Sequence, residues 1–184
     1  SLTEDSVHEI PVARELVQLL AGQGEGWCRG LESSFDPFSY ARRATEKLTI
    51  RGVPLGGEEV PRVVVTRQHY DAVAHKLSGL GDFQPELVYE DLPVVEVDPR
   101  DGQAVAELRA RPEACLVTVK DGIDLPVIAA FRLLAAGIEA RHPILLKDSL
   151  DPQPDGETPF VRTLLGASAR LGSLLCDGIG DAVL

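Results

Sequence analysis

The chain has 184 residues, 44% of them hydrophobic and 26% charged, which is enough apolar material for a real core and excludes disorder over most of its length. Acidic side chains outnumber basic ones 29 to 18. The net charge of −11 argues against an electrostatic grip on nucleic acid or on an anionic membrane surface.

No run approaches the roughly 18 apolar residues of a membrane helix, and no basic-then-apolar leader opens the chain. There is no Met, even at position 1, so the chain is expected to start mid-gene or after processing.

Residues 3–22 read as a helix: Thr3 is a plausible N-cap, Glu4 and Asp5 suit the positive end of the dipole, and Gly22 stops the run. Pro11 inside it implies a kink or a later start. Residues 23–60 hold six glycines and two prolines and sustain no period. They read as a long connecting segment, with a short strand at 48–50.

From Val60 a rhythm sets in. Residues 60–66 form an apolar, β-branched strand and 69–80 a short amphipathic helix. Extended segments follow at 86–90 and 92–99. Helices are expected at 101–112, 125–141 and 158–172, and strands at 114–122, 142–149 and 173–184. Alternating β and α units with apolar strands imply a mainly parallel sheet covered by helices. The fold class is α/β, either part of a (βα)8 barrel or a small open doubly wound sheet.

In such folds, functional groups collect at the carboxyl ends of strands. Those ends offer Thr66, Arg67, Gln68 and His69, then Glu96 and Asp98, then Lys120 and Asp121, then Lys147 and Asp148, and last Asp177 and Asp181. The matching pairs Lys120–Asp121 and Lys147–Asp148 read either as a polar site, with a lysine for phosphate binding or Schiff-base chemistry, or as ordinary wet strand ends.

The histidines, His8, His69, His75 and His142, have no metal-like spacing. The cysteines, Cys28, Cys115 and Cys176, are odd in number, widely spaced and outside any C-x-x-C pattern, which points to a reducing cytoplasm. Cys115 and Cys176 are expected in buried strands. Arg42 and Arg43, beside Phe38 and Tyr40, read either as a clamp for an anion or as a solvated connector. The turn Gly178-Ile179-Gly180-Asp181 after an apolar run demands a tight, backbone-exposed bend.

The ending LGSLLCDGIGDAVL and the opening SLTEDSVHEI resemble two halves of one segment in the 4-hydroxy-3-methylbut-2-enyl diphosphate synthase family. In that family the segment closes a TIM-like barrel. Here the second half comes first, which resembles the longer, three-domain form with a partial barrel copy inserted before the iron–sulfur domain. The stretch FSYARRATEKLTIRGVPLGGEEVPRV resembles the start of that insert, and ACLVTVKDG and the block from HPILLKDS to GIGDAV its later strands.

The resemblance implies residues 1–22 as the tail helix of the main barrel, 23–59 as a connector and 60–184 as a TIM-like, partial barrel. It implies no catalytic, cofactor or metal residue here, because the family's cluster contexts, C-P-x-C and C-x-x-N-G-P-G, do not occur. It also places the diphosphate-binding residues upstream of Ser1. For the parent it implies a 4Fe-4S cluster and two-electron reduction of 2-C-methyl-D-erythritol 2,4-cyclodiphosphate. The donor would be ferredoxin or flavodoxin, the partners the other domains of the same chain, and the compartment the cytoplasm or a plastid stroma. Two rivals remain: a module binding a protein partner or regulator, or an enzyme in its own right using Lys120 and Lys147.

Overall fold

A computed structural model describes residues 6–23, 40–77, 79–151 and 160–184. Helix α1 spans Ser6–Gln23 and runs through Pro11, which sits in its second turn, close to where a missing N–H costs least. An antiparallel hairpin follows, β1 (Leu48–Ile50) with β2 (Val53–Leu55). The expected strand at 48–50 is there, and its partner is one that the sequence did not announce. The two-residue turn between them has positive φ at both Arg51 and Gly52, the geometry that matches the twist of paired strands.

The remaining strands are β3 (Arg62–Val65), β4 (Leu87–Val88), β5 (Val95–Val97), β6 (Val117–Val119), β7 (Leu145–Leu146) and β8 (Ala182–Val183). The helices between them are α2 (Arg67–Leu77), α3 (Gly102–Ala110), α4 (Val127–Gly137) and α5 (Phe160–Cys176).

Every strand pairing outside the hairpin is parallel. One sheet has the order β4-β3-β8-β7, and β5 pairs with β6. A parallel bridge from Val117 to Ile144 links the two sheets at β6 and β7. The mixed α/β class with a mainly parallel sheet is thus present. A closed barrel is not, since no pairing among the described residues joins β4 to β5.

Alternation along the strands divides the core in two. Val97, Val117, Val119, Ile144 and Leu146 face α3, α4 and α5, where Phe131 and Leu134 are fully buried. Val64, Leu87, Leu116, Leu145 and Ala182 face the other way and are covered by the hairpin through Leu55, Leu48, Ile50 and Val53. A parallel sheet needs both faces covered, and here part of the glycine-rich stretch covers the second. Asp101 caps α3, accepting hydrogen bonds from the backbone of Gln103 and Ala104.

One expectation fails at the carboxyl end. Residues 173–176 are the last turn of α5, and the strand begins only at Ala182. The run Leu171, Leu174, Leu175 is helical in spacing, and a short apolar run cannot be told from a strand by periodicity alone. Gly172 is carried inside the helix rather than ending it. Cys176 is therefore exposed at a helix end, and Cys115 lies half-buried ahead of β6. Cys28 and Phe38 lie outside the described residues.

His142 is 0% exposed at the amino-end side of the sheet. Its Nδ1 lies 3.2 Å from the Cys115 backbone N–H and its Nε2 3.1 Å from the Leu108 carbonyl. These partners assign the neutral ring with the proton on Nε2. Burial lowers its pKa, the Leu108 carbonyl opposes that, and Arg141, Arg43 and Arg111 add to the lowering. The unfolded ring takes up a proton near pH ~6.5, while the folded ring resists it to lower pH. The unfolded state then binds more protons, so stability falls as pH drops through that region and levels off below the folded pKa. The urea midpoint is expected to decline from about pH 7.5 to 5, and less steeply in His142→Gln. Equal slopes would remove His142 as the cause.

Candidate functional site

Parallel strands leave their carboxyl ends on one side, and there the chain forms a pocket of about 270 Å³. Val64, Val65 and Thr66 from the end of β3, His69 from α2, and Leu184 after β8 form one side. Asp121 after β6 and Lys147, Asp148, Ser149 and Asp151 after β7 form the other. A second cavity of about 480 Å³ shares Asp148, Ser149 and Asp151 and extends along residues 122–127 to Arg170. Arg170 Nη1 donates to the Asp148 carbonyl at 2.9 Å.

Lys147 is the central charge. Its side chain is only 5% exposed, and Nζ lies 2.5 Å from Asp121 Oδ1. The sequence pairs Lys120 with Asp121 and Lys147 with Asp148. The fold pairs Lys147 with Asp121 across neighbouring strands and leaves Lys120 exposed, in the electrostatic reach of Asp98. Adjacent residues at a strand end point to opposite sides, so the partner of each charge comes from the next strand.

After β4, the Tyr89 phenol donates to Glu96 Oε1. Burial, then the Glu96 hydrogen bond, then the fields of Glu96, Asp121 and Glu90 raise the Tyr89 pKa well above its ordinary value. Asp98 is engaged by Arg100, whose hydrogen bonds hold its carboxyl below the usual range. Asp121, Asp148 and Asp151 outnumber Lys147 around the pocket, which disfavours a phosphate or diphosphate there. Ser149 was missed by the sequence reading, although it directly follows the charged pair Lys147–Asp148.

The ion pair predicts an asymmetry. Asp121→Ala leaves the buried Lys147 ammonium unpaired and is expected to cost about 3 kcal/mol. Lys147→Met leaves Asp121, which is 41% exposed, to return to water and is expected to cost under about 1 kcal/mol. Urea unfolding of the two variants checks this, and equal losses would contradict it.

Arg67 and Gln68 open α2 after β3, with Arg67 Nη2 2.5 Å from Asp91 Oδ2, whereas two candidates sit at the opposite, amino-end side. Asp177 and Asp181 precede β8 instead of following a strand, so they belong to the side that stabilises such folds. Asp177 is 2.7 Å from Arg132 Nε. Asp181 is 3% exposed and accepts from the Thr45 hydroxyl at 2.8 Å and the Ile144 N–H at 2.9 Å, with Arg42 Nη2 at 3.6 Å.

Arg43 turns out neither as an anion clamp nor as a solvated connector. Its guanidinium donates to the carbonyl of Ile138, the C-cap of α4, and to those of Glu139 and His142 in the loop that follows. Burial presses its pKa down, while Asp181 and Glu139 oppose that. Its neighbour Arg42 donates to the Glu59 carbonyl at 2.6 Å. The 40–47 segment is thus sewn to the Gly178–Asp181 turn, with the Arg43 N–H on the Gly178 carbonyl at 2.9 Å.

The described residues do not fit an iron–sulfur cluster. Cys115 Sγ lies 3.5 Å from His142 Nδ1, Cys176 is exposed, and among the described residues no group of three or more His, Cys, Asp or Glu side chains is placed to hold a metal. Among the same residues no helix is long and apolar enough to cross a membrane.

No family model matches the chain, and no solved structure matches it. The 4-hydroxy-3-methylbut-2-en-1-yl diphosphate synthase (flavodoxin) of Akkermansia muciniphila is 41% identical over 188 aligned positions, which take in the whole of this chain. The chain spans 32% of that relative's length. The resemblance carried by the terminal motifs thus extends from end to end: the chain is similar to a fragment, about a third, of that synthase.

Proposed function

We propose that this chain is a non-catalytic accessory part of a longer 4-hydroxy-3-methylbut-2-enyl diphosphate synthase, and that it holds the cluster-bearing domain over the substrate barrel. The observation that carries this reading is identity along the whole chain to only a third of a synthase. In the full-length protein, residues 1–22 are the tail of the main barrel, 23–59 a connector and 60–184 an inserted partial barrel.

The strand order supports the last point. β3 pairs with both β4 and β8, the first strand of the parallel set meeting the last. That is how a barrel-derived sheet would be ordered.

The whole protein would reduce 2-C-methyl-D-erythritol 2,4-cyclodiphosphate by two electrons at a 4Fe-4S cluster held elsewhere in the chain. The relative's name makes flavodoxin the first choice of donor, with ferredoxin second. The acidic surface here argues that an acidic donor docks on another part of the protein. A cytoplasmic or stromal compartment suits such an enzyme.

The strand-end pocket favours a second reading, an enzyme site of its own built on Lys147 and Asp121, with Lys120 outside the pocket lining. Turnover of the full-length protein carrying Lys147→Met separates the two. The accessory reading expects kcat within about twofold, whereas a lysine acting in the chemistry would cost about 100-fold or more. Iron content measured in the same preparation shows whether the cluster domain is intact. The sequence flanking the chain is a further test: a GIGD-like turn before Ser1 and a C-P-x-C motif after Leu184 are expected, and their absence would break the assignment.

A further inference from the structure

The pocket at the carboxyl ends of the strands holds hydrogen-bonding capacity that the fold leaves unused. Lys147 Nζ carries three N–H donors on a side chain only 5% exposed, and among the described residues its one partner is Asp121 Oδ1. A buried donor without an acceptor costs free energy, so the remaining N–H groups call for an acceptor inside the pocket. Asp121 is 41% exposed and keeps acceptor sites beyond that one bond. The hydroxyl oxygens of Thr66 and Ser149 accept the backbone N–H groups of His69 and Asp151, at 3.3 and 3.1 Å. Those bonds hold each oxygen in place and leave its proton to donate.

The charges in and beside the pocket offset one another. Lys147 pairs with Asp121, and Arg170 brings a guanidinium to the half-buried Asp148, with Nη1 2.9 Å from its carbonyl oxygen. Asp151 is exposed, where water and salt screen it. An anion entering here meets Asp121, Asp148 and Asp151, and a cation meets Lys147. Val64, Val65 and Leu184 add an apolar wall against which carbon can pack. A volume of about 270 Å³ lies at the lower end of small-molecule sites, roughly 300–1,000 Å³, so the occupant is small.

We propose that this pocket binds a small uncharged polyol, a vicinal diol of which bridges the Lys147–Asp121 pair. One hydroxyl accepts from Lys147 Nζ and its neighbour donates to Asp121, while Thr66 and Ser149 serve hydroxyls further along the ligand. Each hydroxyl both donates and accepts, so a diol matches an ammonium beside a carboxylate without burying a further charge. The site needs only binding, and it stands whether the chain is an accessory part or an enzyme in its own right.

Saturation-transfer NMR on the full-length protein tests this, with xylitol as the probe. The competitors are 1,5-pentanediol, which lacks vicinal hydroxyls, the diamine cadaverine, and inorganic phosphate. Xylitol is expected to bind, and each competitor to displace it at least about fivefold less well than unlabelled xylitol displaces a deuterated sample. Lys147→Met is expected to weaken xylitol about tenfold or more, through loss of a charged donor, and Ser149→Ala about fivefold. The urea midpoint of each variant confirms that it is folded.

No transfer to xylitol would overturn the proposal. Transfer unchanged in both folded variants would put the probe in another part of the full-length protein and overturn it too. Pentanediol displacing as well as xylitol would remove the diol, and stronger displacement by cadaverine or phosphate would assign a charged ligand instead. Turnover of Lys147→Met, which separates the two functional readings, is a different readout, so failure of either reading is told apart from failure of the polyol site.

Discussion

Gly178→Ala is expected to destabilise the chain by about 4 kcal/mol, combining left-handed strain with a backbone clash. Gly178 has φ +75°, and a Cβ there would stand 2.2 Å from the Ala41 carbonyl oxygen and 2.8 Å from the Arg42 Cα. Both are backbone atoms of the segment that Arg43 and Thr45 tie down, so neither can swing away. Gly122 is the control: its φ is also +75°, but a Cβ there meets nothing within 4 Å. Gly122→Ala should cost only about 1 kcal/mol, the price of the backbone conformation alone. Urea unfolding of both variants checks the difference, and similar losses would show that the 41–42 segment yields easily.

Asp181→Ala is the second large effect, expected at about 4 kcal/mol. It strands the buried Ile144 N–H, removes the acceptor of the Thr45 hydroxyl and leaves Arg42 without its carboxylate. Asp181→Asn should cost about half as much, since the Thr45 oxygen can accept from the new amide while the remaining carbonyl faces Ile144. If alanine were tolerated as well as asparagine, the carboxylate would not be the staple that its contacts describe.

Most of the α/β rhythm is legible in the sequence, because parallel strands are written as short β-branched runs such as Val63–Val65 and Val117–Val119. The hairpin strand at Val53–Leu55 is not, since Pro54 reads as a breaker and strand edges alone tolerate it. The end of α5 is misread because the three-residue apolar run Leu174–Cys176 fits either period.

At the pocket, the choice of strand ends names Thr66, His69, Asp121, Lys147 and Asp148 in advance. Their pairing does not follow from adjacency, since it depends on which strand lies next to which. The Gly-Ile-Gly-Asp turn and the two arginines stand out as motifs, yet their contacts join them at the amino-end side, in packing rather than at the pocket. A motif shows that a backbone geometry is demanded, and only the fold shows what demands it.

The role proposed for this chain is geometric rather than chemical, within a longer synthase. Replacing residues 40–184 by a flexible linker in the full-length protein, then measuring iron and sulfide content together with turnover, tests it most directly. A full cluster complement and a kcat lower by about 100-fold or more, the cost of a misplaced reacting group, are expected. Unchanged turnover would contradict it.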